Sequence, residues 1–435
     1  MALPKKLLLA IVLPAAAALV LYAQAPAPPA KADPVFAALD EIMSELSRIS
    51  GLKPLGPVQY DMIPKARVKP FLEERVKEVI KPEEIRAEET ALKKFGFAPP
   101  EFDLAKTTVD LLSEQVAAFY DFRKKKLFMI DAGSDMVQHS ALVHELAHAL
   151  ADQHFHLEKF IDRASKNDDG SLARLAVMEG QASWLMSEYL TQKTGQSLKD
   201  APVLVKLMSH ASDVPAGQFP VFDRAPLYLR ETLLFPYTQG MLFQHAVVEK
   251  LGKAAFTEVF RRPPTTTQQI LHPDMYFHNL KAVRPALPEI ADHRNYRAFT
   301  DGEVGELDHS ILLRQYAGRE QAEALAPEWR GGFFRLLEGK RDKRMVLAYA
   351  STWSGPEAAR KFFALYQKVL AGKWKTFEVA SRGEDLVAGR GDDGFFLLRR
   401  DGSSVTSLEG MASPKDAVRS PQGAGLEQAV EPAIH

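Results

Sequence analysis

His144, Glu145 and His148 are the residues of this chain best placed to do chemistry. They stand in His144-Glu145-Leu146-Ala147-His148, within an apolar run from Ala141 to Ala151. Positions four apart on a helix lie nearly above one another, so both imidazoles project from one face and can grip a single metal ion. Glu145 is turned about 100° further round, beside the ion and not on it. A carboxylate there is placed to act as general base on a metal-activated water. The H-E-x-x-H spacing therefore predicts a Zn2+ site of the kind used in metal-dependent hydrolysis of peptide bonds. The bland alternative is a core helix whose histidines are merely hydrogen-bonded. Two imidazoles and a carboxylate among so many apolar residues make that alternative costly unless each finds a partner.

The neighbouring sequence predicts the helix that this spacing needs. Ser134 and Asp135 follow the Ala132-Gly133 turn as natural N-caps, so a helix is expected from near Met136. A catalytic zinc usually takes three protein ligands and keeps one position for water, and two residues compete to be the third. His154 completes H-E-x-x-H-x-x-x-x-x-H, a spacing in which a glycine three residues after the second histidine breaks the helix. Ala151 holds that place here and resists the required backbone conformation. On an unbroken helix His154 lies about 240° round from His148 and faces away. Glu179 is the other candidate, on the apolar face of a helix expected over Ser171 to Thr194. A carboxylate there needs a partner, either a metal or an arginine. Gly180 beside it would allow another helix to approach closely.

The remaining elements follow from periodicity and punctuation. Phe36 to Ile49 has helical spacing and is closed by Gly51. Val68 to Phe97 reads as two amphipathic helices split at Pro82, and Asp103 to Val116 as another. Ala117 to Ile130 changes period and predicts a hairpin whose tip is the basic run Arg123 to Lys126. Its edge is expected either to pair with an extended substrate or only to cover the core. Lys166 to Gly170 reads as a loop, Glu231 to Leu251 as a helix, and Ile270 to Pro273 as a stretch ending in a turn. From Gly331 alternating strands and one helix over Pro356 to Leu370 predict a small α+β module, about 90 residues long. Expected boundaries are 35–100 for an N-terminal helical region, 101–300 for the core, 331–411 for this module and 412–435 for a fraying tail.

Composition narrows the function. With 46% hydrophobic and 26% charged residues and a net charge of −1, the chain is an ordinary globular protein without a nucleic-acid footprint. Absence of cysteine excludes disulfides, thiolate zinc ligands and a lipoprotein anchor. Lys5-Lys6, the apolar stretch Leu7 to Tyr22 and Ala23-Gln24-Ala25 predict a cleaved signal peptide over 1–25, with Ala30-Lys31-Ala32 as a second cleavage site. A Pro/Ala-rich linker over 26–34 follows. Export to the periplasm or the medium is expected, with membrane attachment only through an uncleaved signal anchor.

The chain resembles a family of exported bacterial proteins described as zinc metallopeptidases. The residues that carry the likeness are Glu114 to Asp121, His144 to Phe155, Glu179-Gly180-Gln181-Ala182, Phe235-Pro236-Tyr237 with Gly240, and Gln269 to Pro273. The resemblance implies that Glu179 is the third ligand, in a gluzincin-like plan. It departs from that plan at Ser183, where many gluzincins place an aspartate that orients a histidine, which leaves Asp152 as the expected substitute.

The expected fold class is accordingly α+β: a predominantly helical, zincin-like core with a small hairpin or sheet, plus the C-terminal module. His144, His148 and Glu179 are expected to bind Zn2+ and Glu145 to act as base, with Tyr237 and His272 as candidate donors to an oxyanion. The expected partner is a peptide or protein substrate. A non-peptide hydrolase is a second possibility. A third is a non-catalytic envelope protein with a structural metal and partner-binding ends, although Glu145 and the lack of an obvious fourth ligand argue for the enzyme.

Overall fold

A computed structural model describes residues 38–131, 133–164, 167–210, 217, 219–291 and 293–416. The expected signal peptide, the linker and most of the tail lie outside them. The fold is mixed α+β, as expected. A helical part carries a three-stranded sheet, and a seven-stranded antiparallel sheet follows towards the C-terminus.

Helix α1 (Leu39–Ser50) is closed by Gly51, whose φ of 80° supplies the left-handed residue that ends it. It buries Ile42, Leu46 and Ile49. Strand β1 (Gln59–Pro64), which periodicity does not reveal, leads into α2 (Lys65–Val79) and α3 (Pro82–Phe95), divided at Pro82 as expected. Helix α4 (Leu104–Gln115) is N-capped by the Asp103 carboxylate. The hairpin forms as β2 (Ala118–Asp121) and β3 (Lys126–Asp131), and β1 pairs with β3 in parallel, giving the order β1-β3-β2. β2 is thus an edge strand.

Three long helices frame the site: α5 (Asp135–Phe155), α6 (Asp168–Gln192) and α7 (Leu227–Leu251). Ser134 caps α5 as expected. α6 starts earlier than its apolar pattern predicts, because the Asn167 side chain accepts from Gly170 N and draws Asp168 to Gly170 from the expected loop into the first turn. Ile270 to Pro273 is likewise more regular than expected. Thr266 caps α8 (Thr267–Leu271), and Pro273 opens the short helix Pro273–Phe277.

The large sheet runs β4 (Tyr296–Glu303), β5 (Trp329–Gly339), β6 (Met345–Trp353), β10 (Ser404–Met411), β9 (Gly394–Asp401), β8 (Leu386–Gly391) and β7 (Phe377–Arg382). It therefore begins at Tyr296, ahead of the expected boundary at Gly331. β4 escapes sequence reading because, as an edge strand whose exposed and half-buried positions do not alternate, it carries no period of two. Helices α9 (Glu306–Ala317) and α10 (Pro356–Lys373) pack with this sheet. Polar bonds tie it to the helical part. Asp168 N donates to Glu303 Oε2 of β4 at 3.2 Å, Tyr228 Oη donates to Asp308 Oδ1 at 2.7 Å, and Gln268 Nε2 donates to the Trp329 carbonyl at 2.8 Å.

Candidate metal centre

α5 runs unbroken from Asp135 to Phe155, so His144 and His148 share a face as their spacing requires. Their ring centroids are 4.7 Å apart. α6 presents Glu179 to that face, and the Nε2 atoms of both histidines lie 3.1 Å from the same oxygen, Glu179 Oε2. One ligand atom from each residue falls within 4.8 Å of the others. Among the described residues this is the one such group of three or more.

Glycine sets the closeness. A β-carbon on Gly180 would fall 2.1 Å from the carbonyl carbon of Gly240, and one on Gly240 would fall 2.2 Å from the Ala176 oxygen. α6 and α7 therefore touch backbone to backbone beside Glu179. Gly180 was legible as a packing residue in the sequence; its partner Gly240 was visible only as part of a quoted motif. The crossing also brings Tyr237, one turn before Gly240, to the group. Its ring is 6.2 Å from that of His144. Its hydroxyl faces the Glu179 carboxylate without closing a hydrogen bond of normal geometry.

Charges in this group are strongly perturbed. Burial works to raise the Glu179 pKa, but His148 and His144, by charge and hydrogen bonding, prevail and hold it down at about 2. Glu145 is pushed up to about 8 by burial, and further by the Glu179 charge. His144 and the backbone N–H of Tyr120 on β2 pull the other way. Tyr237 is raised well above its ordinary value, by burial first and then by both carboxylates, so its hydroxyl keeps its proton.

The donor set fits Zn2+. Two imidazole nitrogens and a carboxylate converge, while His144 Nδ1, Glu145 Oε2, Glu179 Oε1 and the Tyr237 hydroxyl find no hydrogen-bond partner in a fully buried setting. No arginine meets Glu179 among the described residues; its partners there are the two histidines.

Other candidates fall elsewhere. His154 points out of the group, its Nε2 bonded to the Lys53 carbonyl at 2.7 Å, because the helix does not break at Ala151. His272 sits after α8 with its Nε2 2.8 Å from Glu306 Oε1, a bond that raises its pKa, and no contact with the group is observed. Asp152 does not orient a ligand histidine. Its Oδ1 accepts from Leu157 N at 2.9 Å, and its Oδ2 accepts from Tyr120 Oη at 3.2 Å and Lys125 Nζ at 2.6 Å. Glu114, in the first quoted motif, accepts from Val221 N and Phe222 N and so caps a short helix. Sequence reasoning missed Tyr120 and Phe122, whose backbone N–H and ring (6.0 Å from that of His148) line the group from the hairpin.

Residues 294–419 match a family model described as a domain of unknown function, DUF8575. That match lies over the large sheet and does not include the His144–His148–Glu179 group. No curated protein and no solved structure matches the chain.

Proposed function

We propose that this chain is a zinc-dependent hydrolase with a gluzincin-like core, acting on peptide bonds in an exported setting. The observation that carries the proposal is the convergence of buried His144, His148 and Glu179, with Glu145 on the same helix and unsatisfied polar atoms around them. A Zn2+ held by the two Nε2 atoms and the Glu179 carboxylate would supply Lewis acidity and make a water proton labile. Glu145, on the same helix and beside the ion's place, would take up that proton and hand it to the leaving amine. Tyr237, whose hydroxyl stays protonated, is the candidate donor to the oxyanion. The backbone N–H of Tyr120 faces Glu145 from the hairpin.

One observation favours the second reading, a metal that merely staples a partner-binding envelope protein: the group is closed to solvent, with Glu179 at 0% and His148 at 3% exposure. Purified protein should hold about one zinc per chain, and Glu145→Gln should keep that zinc while peptide hydrolysis falls ~10²-fold or more. Absence of zinc after reconstitution would refute both readings. Equal turnover by Glu145→Gln would leave only the structural metal. Export is tested by sequencing the mature N-terminus, expected near Pro26 or Asp33.

A further inference from the structure

His272, in the Gln269 to Pro273 motif, lies away from the metal-ligand group with its Nε2 2.8 Å from Glu306 Oε1. It ends α8 in the helical part, whereas Glu306 opens α9, within the residues 294–419 that match the family model. The pair therefore spans the joint between the helical part and the large-sheet module. Bonds from Asp168, Tyr228 and Gln268 cross the same joint, and none of them contains an imidazole.

Glu306 sets this pair apart. Its side chain is buried, its Oε2 has no hydrogen-bond partner, and His272 is the one partner of its carboxylate among the described residues. The N-terminus of α9 favours a negative charge there, but a buried carboxylate still needs a counter-charge. The group that offers one is the side chain whose charge changes nearest neutrality. A third of the His272 side chain is exposed, so protons reach it without unfolding. A pair between two exposed groups contributes little; losing the charge of this one strands a buried carboxylate.

No other charge stands in for it. α8 packs against α6, α7, α9 and the short helix Pro273–Phe277. On these, Asp169 accepts from Thr267, Glu231 pairs with Arg314, Asp308 accepts from the Tyr228 hydroxyl, and Asp274 is exposed. The hydrogen bond to Glu306 raises the His272 pKa above the ordinary 6.5, against burial and the charge of Arg330 on β5, which lower it.

We propose that His272 is a proton-operated pin between the helical part and the large-sheet module. Protonated, it neutralises Glu306 and holds α8 against the first turn of α9. Neutral, it leaves the Glu306 charge with a single uncharged donor, and the contact slackens. Because the folded pKa lies above 6.5, the pin is fully set below pH 6.5 and is lost as pH rises through the folded value. The apolar core that the two parts share stays packed throughout, so the change is local. None of this depends on the metal reading.

Hydrogen exchange on the full chain tests the pin, read at Leu307 to His309 of α9. The Leu307 amide is itself bonded across the joint, to Thr267 Oγ1 at 3.4 Å. Its protection factor should fall about fivefold between about pH 5.5 and about pH 8.5, the upper scale of one partly exposed pair, while Leu185 to Tyr189 of α6 stay unchanged. His272→Gln should show the lower protection at both pH values. His272→Lys, which keeps the charge, should show the higher protection at both. Protection at Leu307 that is indifferent to pH in the unmutated chain would overturn the pin, as would a pH dependence that survives intact in His272→Gln. An equal fall in the α6 segment means general loosening and overturns it too. An NMR titration guards against a misfolded variant. The His272 imidazole resonance, identified by its loss in His272→Gln, should titrate above 6.5 in the unmutated chain and return towards 6.5 in Glu306→Gln. An unshifted titration in the unmutated chain refutes the coupling on which the pin rests.

Discussion

His144 and His148 in the helical part, and His309 on α9 beside the large sheet, are almost equally hidden from water, but their polar atoms are treated in opposite ways. His309 donates from Nδ1 to the Gly305 carbonyl at 2.7 Å, and its Nε2 is bonded to the Tyr349 hydroxyl at 2.5 Å. Trp353 and Phe362 pack around the ring at 5.4 and 5.5 Å. Both nitrogens are satisfied, and burial keeps the imidazole neutral, its pKa lowered to about 4. Around His144 and His148, two rings share one oxygen of Glu179 and four polar atoms of the group are left without partners. A buried histidine with both nitrogens engaged is part of the core. Buried polar atoms left open in a rigid frame mark a place kept for something else.

The largest expected effect tests the open group. Glu179→Ala should lower zinc affinity on the order of 10³-fold, one ligand's share of the ~10–16 kcal/mol that holds a four-ligand zinc, as measured by chelator competition. Retained affinity would make Glu179 a mere hydrogen-bond acceptor, no different in kind from the partners of His309. Next comes His309 itself. Its folded pKa of about 4 lies below the ordinary 6.5, so on acidification the unfolded chain takes a proton that the folded one refuses. Stability contributed above pH 6.5 is therefore lost as pH falls towards 4, by about 3 kcal/mol in all. Urea unfolding of His309→Gln across that range should show a correspondingly shallower pH dependence. Gly180→Ala should destabilise by about 2 kcal/mol through overpacking against Gly240 and weaken zinc binding with it, because the same contact holds Glu179. Smallest is His154→Ala. It should keep its zinc and lose under about 1 kcal/mol, the scale of one exposed hydrogen bond. Loss of metal there would move the site to the spacing that Ala151 argues against.

The comparison also explains what was legible in the sequence. His144, Glu145 and His148 are set by a spacing within one helix, and Ser134 announces where that helix starts, so local chemistry sufficed. Glu179 was legible because a carboxylate on an apolar face demands a partner. Tyr237 joins the group only through the meeting of Gly180 with Gly240, and Tyr120 only through the pairing of β2 beside α5. Both are tertiary facts with no local signature. His272 and Asp152 stand near the motifs in the chain yet are engaged by Glu306 and by Lys125 with Tyr120, partners distant in sequence. β1 and β4 are edge strands whose exposed and half-buried positions do not alternate, and edge strands carry the weakest pattern.

The parallel pairing of β1 with β3 bears on how this protein can be processed. A parallel strand needs a long crossover, here the whole stretch of α2, α3, α4 and β2, so the segment before Lys65 is woven into the same sheet as the hairpin beside Glu145. α1 adds buried Ile42, Leu46 and Ile49 to the core that α5 and α6 share. Trimming past Leu39 would strip a core helix, and trimming past Gln59 would also leave β3 with a bare edge. A maturation cut that this fold tolerates therefore falls upstream of Leu39, and the helices that follow stay with the mature chain.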